Sequence, residues 1–331
     1  SMKEEKRIKY ITIDRLEKKC SEIILGTSIP IYAPDYKDEA FKMLDTYVEN
    51  GGNTMDTSML HNQRGCEQVL AEWIQKRQNR EDIIIISKGG HHFIDKDGCH
   101  HPEIKRVSPE LITKDLLESL DTMQTEYFDI YLIHRDDPDV PVAELIDMLE
   151  EHRKSGRIRV YGVSNWSTQR IEEANQYAER KGYAGIVVNS PSFSLAKANE
   201  SRWSGCVYAD NEYIKWHQKT QMPIFSWAPQ ASGFFTGKYS KDAISNPDIA
   251  RVYYNEGNWE RLRRAQQLAE KKGKGINAIN IALAYVLNQS FPTCAIIGTQ
   301  KVKNLLSNFS AAEIQLSEQE MLWLDLNLDN I

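Results

Sequence analysis

Eight short runs of apolar and β-branched residues alternate with amphipathic stretches from about residue 22 onward. Each run has the length of a strand, and the stretches between them repeat their apolar residues at the spacing of a helix. The sequence therefore predicts strand–helix units around a parallel sheet. The expected strands are residues 23–26, 54–56, 83–88, 128–134, 160–164, 186–189, 223–227 and 294–297, and the expected helices include 38–49, 66–76, 108–123, 142–154, 168–180 and 276–287.

The number of units decides between two ways of building such a sheet. Eight units close a (β/α)8 barrel, which takes about 250 residues or more, and the chain has 331. An open, doubly wound sheet is the alternative, but no GxGxxG motif follows the first run, where that fold places its phosphate loop. Because no linker rich in Gly, Ser or Pro divides the chain, we predict an α/β protein with one (β/α)8 TIM barrel domain over residues 1–331.

Three connections are longer than a simple strand-to-helix turn. Residues 89–107, 190–222 and 228–275 each follow an expected strand. Segments that follow strands gather at the C-terminal mouth of a barrel, where active sites lie. We therefore expect them to wall the pocket, with 190–222 and 228–275 as long loops. Residues 1–20 precede the first unit and are expected to be an N-terminal extension or a hairpin.

Composition and charge narrow the function classes. With 41% hydrophobic and 27% charged residues, the chain is neither disordered nor of low complexity. A net charge of −6 argues against nucleic acid and anionic membrane, so a small-molecule partner is expected. Five cysteines without a CxxC motif predict reduced thiols, and a charged start without a signal core or membrane-length run predicts a cytoplasmic protein. The oligomeric state stays open.

Four segments near expected strands carry the chemistry. They are GGNTMDTS at 51–58, IIIISK at 83–88, YFDIYLIHR at 127–135 and GRIRVYGVSNW at 156–166. In this order they resemble the motifs of the aldo-keto reductase family, and the likeness continues through FSWAPQ, TGKY and IIGT over nearly the whole chain. The resemblance implies a (β/α)8 barrel that binds NAD(P)H in extended form without a Rossmann domain and acts on carbonyl or alcohol substrates.

The catalytic positions follow from the same resemblance. The family's tetrad is Asp, Tyr, Lys and His, and the matching residues are Asp56, His61, Lys88 and His134. His61 thus replaces the tyrosine, and the downstream positions keep the family spacing without a gap. A tyrosine with a pKa near 10 donates a proton at neutral pH, whereas a histidine near 6.5 is mostly an uncharged base. We therefore hypothesise that His61 takes the hydroxyl proton of an alcohol while hydride passes to nicotinamide.

A phenol from elsewhere is the alternative to His61. Tyr32 and Tyr36 follow the first strand and are expected at the same mouth of the barrel. The sequence leaves open which group acts.

The resemblance also implies a nucleotide site. Its expected contacts are Ser164, Asn165, Ser190, Trp227, Gly298, Thr299, Gln300, Asn304 and Asn308. Ser190 replaces the family's usual glutamine, and Asn304 stands where members that prefer NADPH place an arginine. Because a 2′-phosphate favours a guanidinium, we expect NAD or NADP with a preference for NAD. Lys301 or Lys303 is the group that would rescue NADP binding.

The loops at the mouth of the barrel are expected to form the substrate pocket. Its expected residues are Tyr32, His91 and Trp203, and aromatic rings beside polar groups suit a sugar, glycoside or polyol. Two further histidine-rich stretches, 91–92 and 99–101, match no known zinc module, so no metal is expected. Two alternatives to net redox remain: an epimerase or lyase on the same barrel, and a nucleotide-binding regulatory protein without turnover.

Overall fold

Eight parallel strands close into a barrel in the computed structural model, which describes residues 8–331. Each strand pairs with the one before it, and the last pairs with the first through Ala295 opposite Ile23. The strands are β1 (Ile23–Gly26), β2 (Thr54–Asp56), β3 (Ile84–Gly89), β4 (Phe128–Ile133), β5 (Ile158–Val163), β6 (Ile186–Asn189), β7 (Ile224–Ser226) and β8 (Thr293–Ile297). The predicted fold class, a (β/α)8 TIM barrel, is confirmed.

Helices pack against the outer face of the barrel. They are α1 (Lys37–Glu49), α2 (Gly65–Arg77), α3 (Pro109–Met123), α4 (Val142–Lys154), α5 (Thr168–Lys181), α6 (Asn211–Thr220), α7 (Pro247–Tyr253), α8 (Glu256–Lys272), α9 (Ala278–Leu287), α10 (Val302–Ala311) and α11 (Glu318–Leu324). Side-chain caps start several of them: Ser108 accepts a hydrogen bond from the Leu111 amide at 3.2 Å, and Ser167 from the Arg170 amide at 3.1 Å. Each cap satisfies an amide that the helix itself leaves unpaired.

Alternation along the strands positions the functional side chains. On β3, Ile84 and Ile86 lie in the cluster inside the barrel, whereas Ile85 packs outward against the helices. Because strand side chains alternate between faces, Lys88 is the next inward residue, at the C-terminal mouth. His134 stands in the corresponding phase just after β4. The top layer of the barrel interior is therefore polar, above apolar layers.

The long connections hold more structure than the sequence predicts. Residues 190–222 include α6, and residues 228–275 include α7 and α8, so neither segment is a bare loop. Asp210, Asn246 and Asn255 cap these three helices and start them within the insertions. Residues 89–107 contain a short antiparallel hairpin, with Phe93–Ile94 paired to His100–His101.

A second hairpin closes the opposite end of the barrel. Tyr10–Ile11 pairs with Cys20–Ser21, and Ile13 and Leu16 between them join the cluster inside the barrel. The charged start on which the cytoplasmic prediction depends, residues 1–7, lies outside the described residues. Within residues 8–331, no helix has the length and apolarity to cross a membrane. All five cysteines are free thiols.

Candidate active site

A buried ion pair lies in the polar top layer of the barrel. Asp56 ends β2 and Lys88 lies on β3, with Oδ1 and Nζ 2.7 Å apart and both side chains less than a tenth exposed. Lys88 Nζ also donates to the carbonyl of Thr57 at 2.9 Å. Burial raises the pKa of Asp56, and the adjacent ammonium of Lys88 opposes that rise. The pair thus holds two charges at the mouth that compensate each other.

His61 lies on the turn between β2 and α2, and one of its ring nitrogens is fixed by Thr27. The Thr27 hydroxyl oxygen is 3.0 Å from His61 Nδ1 and 3.0 Å from the carbonyl oxygen of Asp56. Because a carbonyl can only accept, the hydroxyl donates to Asp56 and accepts from His61 Nδ1–H. This network assigns the ring proton to Nδ1. The lone pair is then on Nε2, which has no hydrogen-bond partner among residues 8–331.

Burial keeps the two imidazoles of the site uncharged. The pKa of His61 is lowered well below 6.5, first by burial and then by the charge of Lys88. The pKa of His134 is also well below 6.5, because of burial and then the Arg135 guanidinium. His134 Nδ1 is buried and has no hydrogen-bond partner within residues 8–331, and the residue lines the cleft at the mouth. At neutral pH, His61 is therefore uncharged and presents a lone pair to which a substrate hydroxyl can give its proton.

No tyrosine within residues 8–331 lines the cleft at the mouth or the cavity beside it. Tyr32 was expected in the substrate pocket, but its ring is fully buried in the core between barrel and helices, beside Tyr47 and Cys66. Two proline-led turns, Pro30–Tyr32 and Pro34–Tyr36, set the path of this loop and turn the ring inward, where it buries more apolar area. Tyr36 is 51% exposed. Neither phenol lines the cleft, so the placement of Tyr32 differs from the expectation.

A cleft of about 1090 Å³ opens at the mouth. All nine residues expected to contact the nucleotide line it, as do the four at the tetrad positions. Beside His134, Ser164 Oγ donates to the Ser190 carbonyl at 2.7 Å, and Asn165 Nδ2 donates to the His134 carbonyl at 3.2 Å. Ser190 donates its own hydroxyl proton to the Phe225 carbonyl at 2.8 Å. The serine oxygens keep lone pairs that can accept from a carboxamide, so this donor and acceptor set fits a nicotinamide.

Another part of the cleft reaches the start of α10. Lys301 occupies the N-cap of this helix, and Gln300 and Asn304 line the cleft beside it. Unpaired amides at a helix N-terminus favour an anion, and Lys238 adds a positive charge from another wall. Lys303 does not line the cleft, so Lys301 is the lysine placed to meet a phosphate. This part of the cleft fits the phosphates of a dinucleotide.

A smaller cavity of about 500 Å³ adjoins the cleft. Four residues line both spaces, namely His61, His134, Arg135 and Trp203. His91, expected in the substrate pocket, lines the smaller cavity. The junction of the two spaces therefore lies at the candidate base, where a substrate beside the nucleotide would react.

Three imidazoles come together on the hairpin after β3. One ligand atom from each of His91, His92 and His100 lies within 4.8 Å of the other two. However, His92 Nε2 is 2.8 Å from His100 Nδ1, which is a direct hydrogen bond, and His91 Nδ1 is 3.0 Å from the His92 carbonyl. Burial, and then the charge of Arg135, lower the pKa of His91 to about 3 and that of His92 to about 4. The same charge repels a cation, so the local field disfavours a metal ion.

Sequence reasoning missed two residues of the site. Thr27 directly follows β1 and holds His61, and the available signal was a polar residue at the end of a barrel strand. Arg135 follows His134 and lines both spaces. It stood inside a recognised motif, but nothing in the sequence indicated that its charge has no partner.

Known proteins are similar in sequence to this chain along most of its length. The family model described as Aldo/keto reductase family matches residues 22–325. The chain is 25% identical over 324 residues to the uncharacterized oxidoreductase YrpG of Bacillus subtilis, covering 96% of this chain and 95% of that one. It is 25% identical over 303 residues to an aryl-alcohol dehydrogenase (NADP+) of Phanerodontia chrysosporium, covering 87% and 76%. It is 25% identical over 295 residues to the norsolorinic acid reductase stcV of Emericella nidulans, covering 86% and 70%.

Proposed function

Since the chain belongs to the aldo/keto reductase family, we propose that it is a nicotinamide-dependent oxidoreductase that favours oxidation of an alcohol, with His61 as the base. The hydrogen bond between His61 Nδ1 and Thr27 carries this proposal. It leaves an unprotonated Nε2 in a cleft whose other residues fit a nicotinamide. The name of one relative, an aryl-alcohol dehydrogenase, supports alcohol chemistry.

The residues divide the work of proton transfer. His61 Nε2 takes the proton of the substrate hydroxyl, and Thr27 holds the ring in the required tautomer. Asp56 offsets the charge of Lys88, which otherwise opposes formation of the imidazolium. His134 lines both the cleft and the smaller cavity beside His61 and orients the substrate oxygen. A bound nicotinamide supplies the hydride acceptor.

We assign the substrate to the sugars, glycosides or polyols. Trp203 is 53% exposed and stacks on Trp227 with ring centroids 5.5 Å apart. Aromatic faces beside hydrogen-bonding side chains suit ligands that present both C–H faces and hydroxyl groups. The imidazoles of the smaller cavity provide such polar partners.

NAD is the proposed cofactor, and a single substitution tests the preference. We expect Asn304→Arg to raise the ratio of NADP to NAD in kcat/KM by about 10-fold or more, because a guanidinium pairs with the 2′-phosphate by charge-assisted hydrogen bonds. Asn304→Gln, which adds length without charge, is the matched control and should leave the ratio within about 2-fold. An arginine variant with an unchanged ratio would show that position 304 does not face the 2′ position.

The overall proposal is tested by turnover of the wild-type protein. Sugars and polyols are offered for oxidation and simple aldehydes for reduction, with NAD and NADP in separate series at several pH values. We expect oxidation with NAD to be the faster reaction at neutral pH. Nicotinamide that stays bound through gel filtration, with conversion of a sugar but no net redox, would instead favour an epimerase. Nucleotide binding without turnover on the whole panel would favour a regulatory protein.

A further inference from the structure

The Arg135 guanidinium has no counter-ion among residues 8–331. Its Nη1 donates to the His134 carbonyl at 3.0 Å, and its Nε is buried with no hydrogen-bond partner in the described chain. Among residues 8–331, no Asp or Glu lies within ion-pair distance of it. Burial lowers the pKa of Arg135, so taking this charge out of water is unfavourable without a counter-ion.

The acidic residues nearest to Arg135 in the sequence form ion pairs with other basic residues. Asp136 pairs with Arg170 at 2.9 Å, and Asp137 lies 3.7 Å from Lys105. Arg170 holds Asp136 through two hydrogen bonds, from Nε at 2.9 Å and from Nη2 at 3.1 Å. A paired carboxylate of this kind does not swing to Arg135 without losing those bonds. The missing negative charge therefore has no source in this part of the described chain.

The lining of the smaller cavity also lacks a negative charge to balance Arg135 within the described residues. Its polar lining includes imidazoles, one serine and Arg135, and no acidic side chain from residues 8–331 lines it. Burial lowers the pKa of four of these imidazoles, His61, His91, His92 and His134. Among the described residues that line this cavity, Arg135 is the only Lys, Arg, Asp or Glu. Hydrogen-bonding imidazoles around one unpaired cation are a set suited to an anion.

The guanidinium is also held in place. Trp166 Nε1 donates to the Arg135 carbonyl at 3.1 Å, which fixes the backbone. Gly205 packs against the side chain so closely that a Cβ there would lie 3.2 Å from Arg135 Cδ and 3.4 Å from Nε. A side chain that is already held in place loses less conformational entropy when a ligand binds than a flexible one does.

We propose that the smaller cavity is an anion subsite, in which Arg135 binds a carboxylate or phosphate-ester group of the substrate whose hydroxyl reaches His61. The proposal rests on the proposed function for the reacting end of the substrate. It narrows the substrate class to acidic sugars or polyols, such as a sugar acid or a sugar phosphate. His61, His134 and Arg135 line the same junction, so the anionic group lies only a few bonds from the alcohol.

Binding to the full chain without added nucleotide tests this proposal. Titrations at low ionic strength use D-glucuronate, D-glucose 6-phosphate and uncharged D-glucose, and binding is followed by calorimetry and by intrinsic tryptophan fluorescence, to which Trp203 contributes. We expect glucuronate or glucose 6-phosphate to bind about 10- to 100-fold more tightly than glucose, as a hydrogen-bonded charge pair provides. Glucose 6-phosphate can also bind where the cleft fits the phosphates of a dinucleotide. The anion whose advantage over glucose is lost in Arg135→Gln therefore identifies the carboxylate or the phosphate ester as the preferred group.

Three variants locate the effect. Arg135→Gln should abolish the difference between the anion and glucose, and Arg135→Lys, which keeps the charge, should retain part of it. Lys219→Gln removes one positive charge at an exposed residue that lines neither space and should keep the full difference. Circular dichroism and thermal unfolding check that each variant is folded. Equal affinity for glucuronate, glucose 6-phosphate and glucose in wild type, or unchanged anion affinity in Arg135→Gln, would overturn the proposal.

The test separates failure of this subsite from failure of the proposed function. Anion binding that depends on Arg135 in a protein without turnover would leave the subsite intact and remove the oxidoreductase proposal. Rapid oxidation of neutral polyols that is unchanged in Arg135→Gln would remove the anion subsite and leave the oxidoreductase proposal intact.

Discussion

Replacing His61 with alanine should lower kcat for alcohol oxidation by about 100- to 10,000-fold, the usual contribution of a positioned general base. His61 Nε2 is the unprotonated nitrogen of a ring whose other nitrogen is fixed by Thr27, and no tyrosine within residues 8–331 lines the cleft to replace it. Initial rates at saturating NAD, with the thermal midpoint measured beside them, check this result.

The pH dependence of the oxidation rate should also identify His61 as the base. The pKa of His61 is lowered well below 6.5, so the base is already free at neutral pH and oxidation should be flat there. The rate should fall only as the pH drops through that lowered pKa, because the ring then carries a proton and cannot accept another. The acidic limb of the pH–rate profile should therefore lie at a lower pH than the near-neutral value expected for an unperturbed histidine. The acidic limb should be absent in His61→Ala.

Two further variants serve as controls for this assignment. Thr27→Val keeps the side-chain shape but removes the acceptor for Nδ1–H, so we expect a smaller loss of about 10-fold through mixed tautomers. His61→Tyr restores the family's proton donor and should gain aldehyde reduction while losing oxidation. A full oxidation rate in His61→Ala with its acidic limb intact would mean that another group is the base.

The fold was predictable because it depends on local periodicity, whereas the tetrad positions were implied by the family resemblance. Strand alternation alone places Lys88 in the inward phase of Ile84 and Ile86, and the end of the strand places it at the mouth. The same holds for Asp56 at the end of β2. Such residues need only the correct strand and the correct face, which short sequence windows determine.

Other parts of the site depend on contacts that no window contains. Thr27 and His61 are 34 positions apart and meet because β1 and β2 are neighbours in the barrel. His92 and His100 meet because the strands Phe93–Ile94 and His100–His101 pair in a hairpin, and their spacing along the sequence does not show this contact. For Tyr32 the sequence predicted a contact that the structure does not have. Its position on a loop at the mouth did not reveal that its ring turns into the core.

The ion pair of Asp56 and Lys88 makes a prediction about stability. We expect Lys88→Met to lower the free energy of unfolding by about 3–5 kcal/mol, because it leaves a buried carboxylate without its partner. Both side chains are less than a tenth exposed, so water does not screen the loss. The double variant Asp56→Asn, Lys88→Met removes both charges and should regain about 1–3 kcal/mol relative to Lys88→Met. Chemical denaturation of the four proteins in the double-mutant cycle measures both quantities.

The pH dependence of Lys88→Met distinguishes a lost charge pair from lost packing. Burial already raises the pKa of Asp56 in the presence of Lys88, and without the ammonium that opposes it the rise is larger. A carboxyl group whose folded pKa lies above its unfolded value binds more protons in the folded state, so the stability of the variant increases as the pH falls through the raised pKa. The difference in unfolding free energy between wild type and Lys88→Met should therefore shrink at acidic pH, while that between wild type and the double variant should change less. A deficit in Lys88→Met that is constant with pH, and not relieved by Asp56→Asn, would assign the loss to the packing of the lysine chain rather than to the stranded carboxylate.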